Sequence, residues 1–183
     1  GAVRTFVQLL TVGFVLQRLF DASRWYWVVV ALAIMTTVAG YNAMKRQSGA
    51  KQGLFAVMTA AIVTGGVITL ILVIGVVLRV RPWYQPQYVI PIAGMIIGNS
   101  MTGAALVVNR FNSELTLRRS EVEASLALGA TAREAAAGAL RESLRAAMMP
   151  TINSMMTVGL VQLPGMMTGQ IISGVSPLDA VRY

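Results

Sequence analysis

The chain has 183 residues, of which 56% are hydrophobic and only 12% charged, with mean hydropathy +0.67 and a net charge of +8. A soluble globular domain carries about 25% charged residues, so that class is excluded. The absence of cysteine and histidine removes disulfides, thiolate metal sites and the commonest metal ligand. The basic residues of the first half (Arg4, Arg18, Arg24, Lys45, Arg46, Lys51, Arg79, Arg81) stand singly or in pairs between apolar runs. That is the pattern of loops that orient a membrane protein, not of a nucleic-acid-binding face.

About 20 apolar residues cross the ~30 Å core of a bilayer, and five segments are predicted to do so. Segment 2–20 is apolar but holds Gln8, Gln17 and Arg18, with Arg18 placed to snorkel at its end. Segments 25–44 and 55–78 are uncharged throughout. Segment 89–108 is also uncharged but carries Pro91, the run from Gly94 to Gly98, and the pair Asn99-Ser100. Segment 146–172 is uncharged and interrupted by Pro150, Pro164 and several glycines. The chain opens without Met or a signal peptide, and is expected to be part of a longer protein.

The one long, strongly charged stretch runs from Glu121 to Leu144, inside a water-facing region at 109–145 with six basic and five acidic residues. So even a balance is not a polybasic lipid-binding strip. Val122 and Leu126 share a face, with Leu115 seven residues earlier, so a helix is predicted here. Gly129 falls where a left-handed residue ends a helix. Thr131 and Glu134 then have the spacing of a capping box for the next helix. Leu140, Leu144 and Met148 continue at i, i+4, i+8 up to Pro150. A rigid, projecting hairpin on a lipid-embedded chain is expected to grip a soluble partner. If it is cytoplasmic, alternation puts 43–53 inside with Lys45, Arg46 and Lys51. Residues 79–88 then lie outside, where Trp83, Tyr84 and Tyr88 suit the aromatic belt.

Glu123-Ala124-Ser125 followed by Gly129-Ala130-Thr131 resembles the EAA loop of ABC transporter permeases. With the flanking segments 4–20, 89–100, 150–170 and 176–183, the whole chain resembles the FetB-like iron-export permease family, whose plant relatives are linked to aluminium tolerance. The resemblance implies an all-α polytopic membrane protein, here with about five membrane helices and one cytoplasmic hairpin. The family carries a further helix before Arg4 and another after Tyr183. It implies one permease domain over 1–183, with the hairpin at 109–145 docking on a cytosolic ABC ATPase through Glu123, Ala124, Leu126, Gly129, Ala130 and Thr131. Two copies of the permease are implied, integral to a membrane, which in a bacterium would be the cytoplasmic (inner) one. ATP and Mg would be bound by the partner ATPase, and no cofactor by this chain.

The residues themselves say less about cargo. Three adjacent methionine pairs (148–149, 155–156, 166–167) offer soft thioethers suited to copper(I), whereas iron(II) prefers imidazole or carboxylate. Met155, Met156, Met166 and Met167 are the candidate ligands. Flexible helix packing is the competing reading, and neighbouring methionines on a helix point in different directions. Intramembrane polar groups are expensive in lipid without partners, so Asn99, Asn153 and Gln170 are the candidate pathway residues, followed by Gln8, Ser100, Ser154 and Gln162. Glycine spacings at 94/98 and 165/169 permit close helix contact. Residues 164–169 are predicted to break the last helix, with Pro164, Gly165 and Gly169 as a candidate gate or a tight turn outside the membrane. No nucleophile–base pair or P-loop is present, so the chain reads as a non-catalytic subunit. A membrane scaffold that recruits a soluble protein through the hairpin is the alternative from a different class.

Overall fold

The computed structural model describes residues 2–22, 24–47, 53–160 and 163–181. Lys51 and Gln162, and the side chains of Arg4 and Asp21, lie outside that description. Every regular element is a helix: α1 Ala2–Ala22, α2 Trp25–Lys45, α3 Leu54–Ile71, which continues as a π-helical turn Leu72–Val77, α4 Pro86–Leu117, α5 Arg119–Ala127, α6 Ala132–Thr157, α7 Gly165–Ile172 and α8 Pro177–Ala180. The chain forms two compact units, Gly1–Asn109 and Arg110–Tyr183, with the boundary inside α4.

In the first unit, α2 meets α3 and α4 through small side chains that larger ones pack against. Ala39 and Ala43 of α2 pack with Met58 and Ile62 of α3 and with Ala93, Ile97 and Ala105 of α4. A second cluster joins Val28, Ile74, Val89 and Ile92. Lipid tails are as apolar as leucine, so helices in a bilayer are held by close packing rather than by burial from water. The closest approach is Gly40, where a Cβ would overlap Thr59 Oγ1 and stand 3.1 Å from Thr59 Cβ. Other large side chains point away from this packing: Ile34, Val38, Val57, Ile68 and Ile71 are all exposed.

Three helices are long and apolar enough to span a membrane: Trp25–Lys45, Leu54–Val77 and Pro86–Leu117. In α1 the apolar stretch, Thr5–Phe20, is shorter. The expected last span at 146–172 is not one helix. Helix α6 runs through Pro150 to Thr157, the chain turns with Gly159 at φ +84°, and α7 begins only at Gly165. From Ala146 to the end of α6 is about 18 Å at 1.5 Å per residue, and α7 adds about 12 Å, so neither piece crosses a ~30 Å core alone. The break therefore precedes Pro164. That proline caps α7, and Gly165 to Gly169 are helical rather than helix-breaking.

One polar contact closes the end of the three-helix packing. Gln47, just past α2, is buried at 7% exposure, and its Nε2 donates to the Ala105 carbonyl of α4 at 3.0 Å. Its Oε1 is buried without a partner. Gln47 thus ties the end of α2 to α4, while neighbouring Lys45 and Arg46 are exposed.

Candidate functional site

The charged region of the second unit folds into an ordered corner. Helix α5 ends in a Schellman motif: Ala130 N–H donates to the Ser125 carbonyl at 3.1 Å and Gly129 N–H to the Leu126 carbonyl at 3.0 Å. Gly129 takes φ +91°, and no atom lies within 4 Å of where its Cβ would be. One residue later Thr131 caps α6. Its Oγ1 accepts from Glu134 N–H at 3.3 Å, and Glu134 Oε2 accepts from Thr131 N–H at 2.8 Å and from Thr131 Oγ1 at 2.7 Å. Both facing helix ends are satisfied within the chain, so the corner needs no partner to hold its shape.

The predicted coupling residues Glu123, Ala124, Leu126, Gly129, Ala130 and Thr131 all lie on this corner. Arg119 Nε donates to Glu123 Oε1 at 2.7 Å along α5, which raises the Arg119 pKa. Two further residues were not predicted. Leu128, beside the glycine, is 89% exposed and is an apolar knob at the tip. Glu114 is buried, and its carboxylate bridges Arg110 Nη2 at 3.1 Å and Arg118 Nε at 3.2 Å. Arg118 is the cap residue of α5, and its Nη1 lies 3.9 Å from a Cβ built on Gly138 of α6. Glu114 therefore ties the end of α4 to the start of α5. The i, i+4, i+8 order Arg110-Glu114-Arg118 is the sequence signal for it.

The α6 face also differs from expectation. Leu140, Leu144 and Met148 are exposed, while Ala139, Ser143 and Ala147, one position earlier, are buried. Ser143 satisfies itself through the Ala139 carbonyl at 2.6 Å.

The other candidates do not converge in this way. Asn99 is an exposed residue of the first unit. In the second unit, Asn153 is exposed, and Gln170 is half-buried with an Oε1 that has no partner. Met155 and Met156 are each 73% exposed, and Met166 and Met167 lie on α7. Among the described residues no three His, Cys, Asp or Glu side chains come together to hold a metal. Of the glycine pairs, Gly94 would place a Cβ 3.4 Å from Met35 Cε, whereas Gly98, Gly165 and Gly169 face open space.

The cap carries a pH dependence. The Thr131 backbone N–H and hydroxyl hold the Glu134 carboxyl below its ordinary pKa. A carboxyl depressed on folding contributes stability that is present above its unfolded pKa and lost as pH falls through the folded value. The start of α6 should therefore keep its protection at neutral pH and lose it only below the usual carboxylate range. Thr131→Ala should cost about 0.5–2 kcal/mol of local helix stability at neutral pH. Hydrogen exchange of residues 131–135, corrected for intrinsic rates, checks both; equal protection in wild type and Thr131→Ala would contradict the cap's role.

Long apolar helices packed through small residues, with an ordered corner built from exposed charged helices, define an all-α integral membrane protein. The sequence profile of the uncharacterised protein family UPF0014 matches residues 1–183, and the chain belongs to that family. It is 42% identical over 179 residues to the UPF0014 membrane protein STAR2 of Oryza sativa subsp. japonica, covering 98% of this chain and 61% of that protein. It is 40% identical to the protein ALUMINUM SENSITIVE 3 of Arabidopsis thaliana, covering 98% of this chain and 64% of that one. It is 34% identical to the probable iron export permease protein FetB of Escherichia coli strain K12, covering 98% and 68%. The chain thus spans a little under two thirds of each of these plant relatives. No solved structure matches it.

Proposed function

We propose that this chain is the membrane-spanning permease subunit of an ATP-driven transporter, working as a pair of copies and exporting a metal ion such as iron. The observation that carries the reading is the corner at Gly129. A soluble motor can push on a membrane domain only through a rigid exposed part, and two helices terminated by a Schellman motif and a capping box supply one. The motor is a separate cytosolic ATPase holding ATP and Mg, since this sequence has no phosphate-cradling P-loop. Metal export rests on similarity to a protein named as a probable iron export permease. The cargo passes as substrate between polar groups such as Asn153 and Gln170, not through a resident metal site.

Reconstituting the full-length protein with its cognate ATPase in vesicles, with transport measured over a panel of metal ions, tests this reading. ATP-dependent movement of iron is expected. Recruitment of a soluble protein with no ATP-dependent flux of any metal would favour a scaffold instead. In the same assay Asn153→Leu should lower transport several-fold with assembly intact, because an apolar isostere cannot line a wet passage. Met155→Leu should leave transport within about twofold, as expected of an adaptable packing residue. The reverse outcome would make the thioethers ligands.

A further inference from the structure

A cavity of about 1250 Å³ opens in the first unit between α1, α2 and the start of α4. It is larger than the roughly 300–1,000 Å³ of ordinary small-molecule pockets. Its walls are apolar: Phe14 and Leu16 of α1, Val30 and Ile34 of α2, and Ile90 of α4. Thr11 also lines it, but its hydroxyl is already donated to the Val7 carbonyl at 2.8 Å. The one charged side chain on the wall is Arg18.

Arg18 makes no ion pair among the described residues. A guanidinium stays charged at any accessible pH, and a membrane-embedded arginine needs an anion, a wet cavity or the interface. Its position points to the interface. Arg18 is about 6 Å of helix rise from the end of α1, within snorkelling reach of the headgroups. Helix α2 then opens with Trp25, Tyr26 and Trp27, the last of them lining the same cavity. Such aromatics sit at headgroup level. Arg24 is already engaged: its Nη1 donates to Tyr26 Oη at 3.0 Å and its guanidinium lies 5.9 Å from the ring centroid. Among the described side chains none pairs with Arg18, which faces the groove.

A single cation on the wall of a long dry groove matches a molecule with one anionic head and an apolar tail. We propose that this groove seats one anionic phospholipid of the surrounding bilayer, with its phosphate on Arg18 and an acyl chain running between α1, α2 and α4. The planar guanidinium suits the phosphate through paired, charge-assisted hydrogen bonds. This seat is independent of ATPase coupling, whose corner lies in the other unit.

The test is native mass spectrometry of the delipidated full-length protein, titrated with phosphatidylglycerol or phosphatidylcholine of identical acyl chains. One tightly held phosphatidylglycerol is expected, preferred about fivefold, the factor that a single arginine contributes near an anionic surface. Arg18→Gln should erase the preference and Arg18→Lys should retain most of it. Ala31→Trp, which fills the groove and leaves Arg18 in place, should lower retention of both lipids. Excess inorganic phosphate should not displace the bound lipid. Equal retention of the two lipids by wild type, or an undiminished preference in Arg18→Gln, would overturn the proposal. So would displacement by inorganic phosphate. A photo-crosslinker at Ile34 that captures polypeptide rather than lipid would show that protein covers the groove, and would overturn it too.

Discussion

Gly129→Val should yield a protein that inserts and accumulates normally yet fails to hold the ATPase proposed above as its partner. The space around Gly129 is open, so bulk is no obstacle and the whole effect comes from φ +91°. A β-branched residue forced into that region costs about 1–3 kcal/mol. The corner can avoid the cost only by unwinding the last turn of α5, which releases the Ala130–Ser125 and Gly129–Leu126 bonds and swings Leu128 away. Gly129→Asn should be far milder, because asparagine visits the left-handed region readily. Co-purification with the ATPase and stimulated ATP hydrolysis provide the readout. Binding by Gly129→Val at wild-type strength would place coupling elsewhere and reopen the scaffold reading. The graded order glycine, asparagine, valine is the signature of a backbone effect, and loss of a side-chain contact would not produce it.

The second large effect is expected at Gly40, where α2 packs on α3. Gly40→Ala places a Cβ into Thr59 Oγ1, and overpacking a tight interface costs about 1–3 kcal/mol. The clash sets how far it can be rescued. Removing the hydroxyl in Gly40→Ala/Thr59→Ala still leaves the two Cβ atoms 3.1 Å apart, so recovery should be partial. Thr59→Gly leaves the nearest atom as the Thr59 Cα at 3.4 Å, ordinary van der Waals contact, so recovery of the packing should be fuller. A glycine in the α3 interior adds back about 1 kcal/mol of helix propensity cost in a water-based scale. Melting temperatures in detergent for wild type, Gly40→Ala, Thr59→Ala, Thr59→Gly and the two double variants test this. Independent, additive losses at the two sites would show that α2 and α3 do not meet there.

Glu114 suggests how the corner acts on the rest of its unit. A buried carboxylate that bridges Arg110 of α4 and Arg118, the cap residue of α5, braces the junction of the two helices. Removing one partner of a buried pair costs more than the pair itself contributes, because the remaining charge is left without compensation. The hairpin is thus braced at its base as well as capped at its tip.

The sequence alone determined whatever depends on neighbours along the chain. Hydropathy over about 20 residues marked the long spans, because the bilayer thickness sets the length and backbone satisfaction demands a helix. Gly129, Thr131 and Glu134 were readable as a corner because a helix stop and a capping box close their hydrogen bonds within six residues of chain, using exposed groups that nothing else competes for. Only the tertiary structure decided which faces meet. On α6, the stripes 139/143/147 and 140/144/148 have the same spacing, so periodicity cannot choose between them; side-chain size does, since Ala139, Ser143 and Ala147 allow a neighbour closer than leucine would. The same holds at Gly40, whose Ala39-x-x-x-Ala43 flank is a small-residue spacing that acquires meaning only once Thr59 stands opposite. The turn after Thr157 was likewise beyond sequence reading. Pro150, which looked like an interruption, is carried inside α6, while the chain bends at Gly159, where no proline stands.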